Sequence, residues 1–555
     1  MISTQGKEGF KTMKKTTRII LSVLIGTALT ALSYYIMLPP LNLQSTGFWT
    51  YLLMVIFFYG VPLGVIGFVP GVKKGVPSKP KVNKIFIAVA AVPVAVMVLG
   101  GIISSEFFNA TKYAAVIEVT EAEFSEDMPE TNTVTNISLM DSESAAILGN
   151  RTLGALSDVV SQYNLSGDYN QINFRGTPKK VANLEYVDIF RWFNNMENGI
   201  PGYVMVDPVN NNAEYIKLDQ PMKYVDSGYL TDDLMRKLRF SYPTKIFSSV
   251  NFEIDDEGNP FYIVSCMKPR VGLFGAMDVN EVIIFNPCDG SSEIYPVAEA
   301  PAWLDNVYDG YLACEKYDWH GTLAGGFWNS VFGQKNCKQT TADFGYIVIG
   351  DDVWYFTGVT SVTSDESNIG FIISNARTGE YKYYPVIGAE EYSAMGAAEG
   401  KVQEKGYVAS FPSLINVSGQ STYIMVLKDD HGLVMLYALV NVETHNIVAT
   451  GQSQQEAKEA YIELLLDRGV IAPEERPVVD AKEATVTVAD VRLATVGGET
   501  VVYITAADGV VYKGALVEDE TLILVTAGQT LTFGYEDTDH GMIRRIVSWK
   551  QAPTE

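Results

Sequence analysis

The chain has 555 residues and a formal charge of −24, with 41 Lys and Arg against 65 Asp and Glu. Ten of those bases and one acid, Glu8, fall before residue 85, so the remainder holds 31 bases against 64 acids, a net of −33. A surface this acidic excludes bulk-charge binding of nucleic acid or anionic polymers, and the length allows several domains.

Three apolar spans lie within 19–103: residues 19–37, 48–69 and 85–103, none with an Asp, Glu, Lys or Arg. Each approaches the ~20 residues that cross a bilayer core. Lys7, Lys11, Lys14, Lys15 and Arg18 precede the first span, and Lys73, Lys74, Lys79, Lys81 and Lys84 separate the second from the third. The loop 38–47 carries no charge. Short basic loops stay inside, so residues 1–18 and the loop 70–84 are expected in the cytoplasm. Everything beyond about Ser104 is then extracytoplasmic, on a plasma membrane. Tyr34, Tyr35, Trp49 and Tyr51 stand where an interfacial aromatic belt would place them. A cleaved signal peptide also begins with bases and small residues, but its apolar core is shorter than the first span. With no ionisable residue inside the spans, an ion or proton path is not indicated.

Residues 104–180 read as a juxtamembrane connector, with a strand over 112–120, an acidic stretch over 121–135 and an amphipathic helix over 141–163 capped by Asp141 or Ser142. From 181 to 468 a pattern recurs in which a β-run, a turn rich in Asn, Asp, Thr or Gly, and a returning β-run lead to a helix-compatible or loop segment. The hairpins fall at 203–218, 282–297, 370–386 and 434–451. The segments after them are 230–238, 300–307, 390–399 and 454–466. Residues 469–484 read as a linker. Short strands then follow at 485–494, 500–505, 510–515, 522–525, 531–535 and 542–548, with Asp508-Gly509 as a hairpin turn. The expected fold is thus a multi-pass anchor of three α-helices, an α+β ectodomain of repeated antiparallel meander/helix units, and a small all-β barrel over 485–555.

The strings FNPCDGSSEIYPV, SNARTGEYKYYPV and VNVETHNIVATG resemble the last hairpin of PepSY-type domains. That resemblance implies small extracytoplasmic interaction modules, some tied to protease regulation, and no catalytic residues. The chain as a whole resembles bacterial membrane-anchored proteins.

One stretch carries candidate chemistry. Asp318 and His320 adjoin the Gly-rich run 321–330, and such a pair suits acid–base work. The same residues also describe an ordered loop with aromatics tucked into a core. Cys266, Cys288, Cys314 and Cys337 permit two disulfides in three connectivities. Cys266–Cys288 and Cys314–Cys337 are the favoured pairs, and free buried thiols are the alternative. Their spacing is not zinc-like and only four His occur, at 320, 431, 445 and 540. No metal or cofactor is therefore expected. The run Asp255-Asp256-Glu257-Gly258-Asn259 lacks the terminal Glu of a calcium loop and reads as a turn, as do the acidic pairs Asp351-Asp352 and Asp365-Glu366. The expected role is a membrane-anchored binding or scaffold component of an envelope complex, with the bilayer and an envelope protein as partners. The alternatives are an extracytoplasmic hydrolase using Asp318 and His320, or a regulator of an envelope protease. Oligomeric state stays open.

Overall fold

The computed structural model describes residues 14–64, 84–131, 139–209, 212–341, 343–362, 368–472, 482–496, 499–516, 520–537 and 543–551. The basic loop 70–83, most of the linker and the pair Asp365-Glu366 lie outside the described residues.

Three apolar helices come first: α1 (Lys15–Met37), α2 (Thr46–Pro62) and α3 (Lys84–Ser104). Two of them, over Thr16–Met37 and Phe86–Ser104, are long and apolar enough to cross a membrane, and Thr46–Pro62 is apolar but shorter. The expected second span continued to residue 69, and 65–69 lie outside the described residues. Glycines let these helices approach closely. A Cβ on Gly26 would stand 2.7 Å from the Tyr59 ring, and one on Gly60 would strike the Phe86 ring. Polar side chains add Thr27 Oγ1 to Tyr59 OH at 2.9 Å and Tyr51 OH donating to Thr30 O at 2.8 Å.

Helix α4 (Glu106–Ala114) follows at once. Residues 112–120 were expected to be extended. Instead Ala110, Tyr113 and Ala114, spaced for one helical face, are buried, and only Val119–Glu121 forms a strand. Helix α5 (Ser142–Gly154) begins as expected, with Asp141 accepting from the Ser144 N–H at 2.8 Å. It stops nine residues before the expected 163, and Tyr163–Leu165 opens the first sheet instead.

Four sheets build the large β-rich part. The first contains Tyr163–Leu165, Asn170–Phe174, Thr177–Tyr186, Ile200–Asp207 and Asn212–Met222, with α6 (Ile189–Asn195) inserted before the last hairpin. Helix α7 (Leu234–Ser241) leads to the second, a meander of Ile246–Ile254, Pro260–Val271, Gly275–Phe285 and Ser292–Pro296. After α8 (Gly310–Leu323) the third sheet is centred on Asp352–Ser361, Gly370–Asn375 and Tyr381–Tyr384, and Val119–Glu121 pairs in parallel on its edge. The fourth, between α9 (Glu391–Lys401) and α10 (Gln454–Asp467), is built on Gln420–Lys428, Val434–Asn441 and Val448–Gly451. All four hairpins read from turn chemistry are paired strands.

The sheets pack in pairs. The first and second share a core with α5 and α7 through Leu153, Leu234, Leu238, Tyr203 and Phe285. The third and fourth share another with α9 through Phe356, Phe371, Ala394, Ala398 and Tyr423. Helix α8 covers the opposite face of the third sheet with Ala313 and Tyr317. The segment 300–307 is not helical. It turns at Ala302–Trp303 and lies over the second sheet, burying Leu304 and Val307, and the N–H groups of Val307 and Tyr308 both donate to Ala376 O.

By chain contacts the protein divides into two units, and residues 465–555 with 130–132 form the second. There Lys482–Val496, Glu499–Ala506, Val511–Ala515, Thr530–Asp537 and Ile543–Gln551 close into a barrel. Residues 522–525, expected as a strand, do not form one: the 3₁₀ turn Glu520–Leu524 covers most of them, and its Leu522 enters the barrel core.

Candidate functional site

Asp318 and His320 both lie on α8. The helix starts because Asp309 caps it, accepting from the Tyr311 and Leu312 N–H groups at 2.9 and 3.3 Å. Two residues along a helix turn a side chain by about 200°, so the two groups leave α8 in different directions. Asp318 accepts from the Thr340 N–H at 2.7 Å and ties the strand Lys338–Thr340 to the helix. Burial holds its carboxyl above the ordinary range, partly offset by the Thr340 hydrogen bonds. His320 Nδ1 meets Ala114 O, at the end of α4, at 3.0 Å. The two side chains join separate elements and are not brought together. The adjoining glycine has a packing reason: a Cβ on Gly321 would stand 2.3 Å from Lys338 O.

The four cysteines are thiols, and neither expected bridge is formed. Cys266 pairs in register with Glu281, whereas Cys288 lies beyond Phe285, the partner of Tyr262. Four strand positions separate those rows by ~13 Å, and a disulfide needs Cα atoms within about 7 Å. Cys337 Sγ lies against Thr322 O at 3.5 Å, eight helical residues or ~12 Å from Cys314. Burial pushes the thiols of Cys266 and Cys314 up to about 12 and that of Cys288 up to about 11, which makes them poor nucleophiles.

A polar junction between sheets was not singled out from the sequence. Glu253, on the first strand of the second sheet, is fully buried. Its carboxylate accepts from the N–H of Asp305 (3.0 Å), the N–H of Asn306 (2.7 Å) and Asn306 Nδ2 (2.8 Å). Asp305 in turn accepts from the Asn173 N–H at 2.8 Å, and Asn173 Nδ2 donates to Asp351 at 2.9 Å. The first, second and third sheets are stitched at this point. Burial raises the carboxyls of both Glu253 and Asp305, and the nearby Glu253 charge raises Asp305 further. Such a pair favours holding a proton. Since N–H donors occupy both Glu253 oxygens, the cluster is a cross-link. The neighbouring Asp255 is the turn residue expected of it, accepting from the Glu257 and Asn259 N–H groups. Asp352 is paired with Arg377 at 2.7 Å. Among the described residues no three His, Cys, Asp or Glu are placed to hold a metal ion.

A second set of buried contacts joins the apolar helices to the β-rich part. Arg239, only 5% exposed, reaches from α7 to the end of α1. Its Nε donates to Leu38 O at 2.9 Å and its Nη1 to Lys245 O at 2.6 Å, while the guanidinium lies 4.2 Å over the Phe247 ring. Arg236 donates to Tyr35 O at 3.3 Å and covers the Tyr35 ring at 4.2 Å. The Leu41 N–H donates to Pro243 O at 2.7 Å, and Asn42 Nδ2 to Thr244 O at 2.8 Å. At the end of α3, Ser104 Oγ accepts from the N–H groups of Leu273 and Phe274 at 2.8 and 3.0 Å. A Cβ on Gly100 would stand 2.5 Å from Phe274. Nothing in the sequence marked Arg239 or Ser104, because the contacts each makes across this joint are with residues about 170 or more positions away.

No family model matches the chain, and no curated protein matches it. Among solved structures, an endo-arabinase from Bacteroides thetaiotaomicron overlaps 50% of this chain and 73% of its own at 9% identity, with a TM-score of 0.16. An alpha-L-arabinofuranosidase from Lactobacillus brevis overlaps 69% of this chain and 95% of its own at 10% identity, also with a TM-score of 0.16. Overlaps of that quality carry no argument about fold or activity.

Proposed function

We propose that this chain is a membrane-anchored, extracytoplasmic binding or scaffold component of an envelope complex. In this reading α1, α2 and α3 cross the plasma membrane, with the basic N-terminus and the loop 70–84 in the cytoplasm. The β-rich part then displays its surface outside, and the terminal barrel is a docking module. The observation that carries it is the joint at Arg239 and Ser104. Buried hydrogen bonds hold the β-rich part on the ends of α1 and α3, so the anchor orients the surface it bears. The uncharged loop 38–47 lies on the same side as that surface, as the distribution of Lys and Arg requires. The separation of Asp318 from His320 argues against the hydrolase alternative.

Cross-linking the full-length protein in its native membrane, followed by purification and mass spectrometry, tests the proposal. The expected result is a stoichiometric envelope partner that persists when Asp318 and His320 are replaced by Ala. Recovery of the protein alone would overturn the scaffold reading.

A further inference from the structure

Two patches of bare aromatic side chains lie beside the joints that hold the β-rich part to the apolar helices. The first starts just past the end of α3. Phe107 packs its ring edge-on against Phe327 at 5.1 Å and Trp328 at 5.5 Å, and Trp328 stacks on Phe332 at 5.7 Å. Trp328 is nevertheless 62% exposed and Phe332 76%. The run that carries them leaves the end of α8, where Leu323 shares a small core with Tyr113 of α4 and Val271 of the second sheet. The hairpin tip beyond Val271 reaches Gly100, about one turn, or ~5 Å, back inside α3.

The second patch connects in the same way to α1. Phe240 sets its ring 5.9 Å from Tyr34. Arg236 covers Tyr35 and also donates to Leu230 O. Tyr229 then meets Trp192 of α6 at 5.4 Å, and α6 presents Phe190 and Phe193, 71% and 68% exposed.

We propose that both patches are seated in the headgroup–acyl boundary of the membrane that the apolar helices cross, so that the β-rich part lies on the bilayer. This rests on the membrane reading above. Clustered exposed aromatics mark an apolar contact, and Trp and Phe favour that boundary. The occupant is lipid because each patch is continuous, through named contacts, with the end of an apolar helix. The attraction is apolar, since a part with a net of −33 gains nothing from anionic headgroups.

The test is tryptophan fluorescence of the full-length protein in phosphatidylcholine vesicles brominated high on the acyl chains, against unbrominated vesicles. Wild type is compared with Trp328→Phe and, separately, with Phe190→Trp. Trp328→Phe should remove part of the bromine-quenched signal, and Phe190→Trp should add a quenched component, both unchanged in high salt. Phe190→Trp keeps the test decisive should Trp328→Phe fold poorly. Protein that floats with the vesicles while Trp328→Phe leaves the quenched signal intact, or while Phe190→Trp adds only unquenched emission, overturns the proposal. Those results would mean a patch facing water or a protein. Failure to float with the vesicles would instead overturn the membrane reading beneath it.

Discussion

At the scale of single residues, Glu391 has the clearest consequence. It is fully buried at the start of α9, accepts from the Gly358 N–H at 2.6 Å, and burial moves its carboxyl from the ordinary 4.5 up to about 7. The native state therefore binds this proton more tightly than the unfolded chain, and the contribution is full below pH 4.5 and lost as pH rises to about 7. At 1.36 kcal/mol per unit the loss is about 3 kcal/mol. Glu391→Gln should therefore gain on the wild type as pH rises through that window, which melting curves of both proteins at several pH values would show. A stability difference independent of pH would contradict it. Asp318 and His320 show how far residue type reaches. Acid–base character drew attention to them, yet their spacing of two already places them apart once the segment is a helix. Glu253 and Asp305, the more unusual acids, gave no local signal, because Asp305 is met by Asn173 from 132 positions away.

At the scale of elements, the hairpins were legible because alternation and turn chemistry act within a dozen residues. The turn at Asn286 to Gly290 is one case, with Gly290 at φ +77° and its N–H donating to Asn286 O at 2.9 Å. The sequence left the segment 300–307 open between a helix and a loop. Its composition allows a helix, but Glu253 captures the N–H groups of Asp305 and Asn306 that a helix would need. Helix α7 owes its importance to what it grips. Arg239→Met removes donors from Leu38 O and Lys245 O, and hydrogen bonds from a buried charged donor are worth about 1.5–3 kcal/mol each. Hydrogen exchange of the full-length protein in detergent should then speed up over 38–47, where the Leu41 N–H donates to Pro243 O. A loss of 2 kcal/mol corresponds to roughly 30-fold. Unchanged exchange there would show that Arg239 does not hold the loop.

At the scale of the whole molecule, the two units have separate cores. In the second, Val502, Ile504 and Phe533 are fully buried and the described strands close into a barrel. Residues 465–555 produced alone should therefore unfold cooperatively in urea, with a stability of roughly 3–5 kcal/mol, as suits a core of that size. A non-cooperative transition by circular dichroism would show that the barrel depends on the first unit.

The apolar spans, the asymmetry of Lys and Arg, the four hairpins and most of the barrel's strands were determined by the sequence alone, since each rests on composition or a period of a few residues. Only the tertiary structure decided which sheets share a core, where the buried acids meet, that the cysteines stay apart, and that Arg239 and Ser104 bind the apolar helices to the β-rich part. Those outcomes depend on contacts between distant residues, and no local period or propensity encodes them.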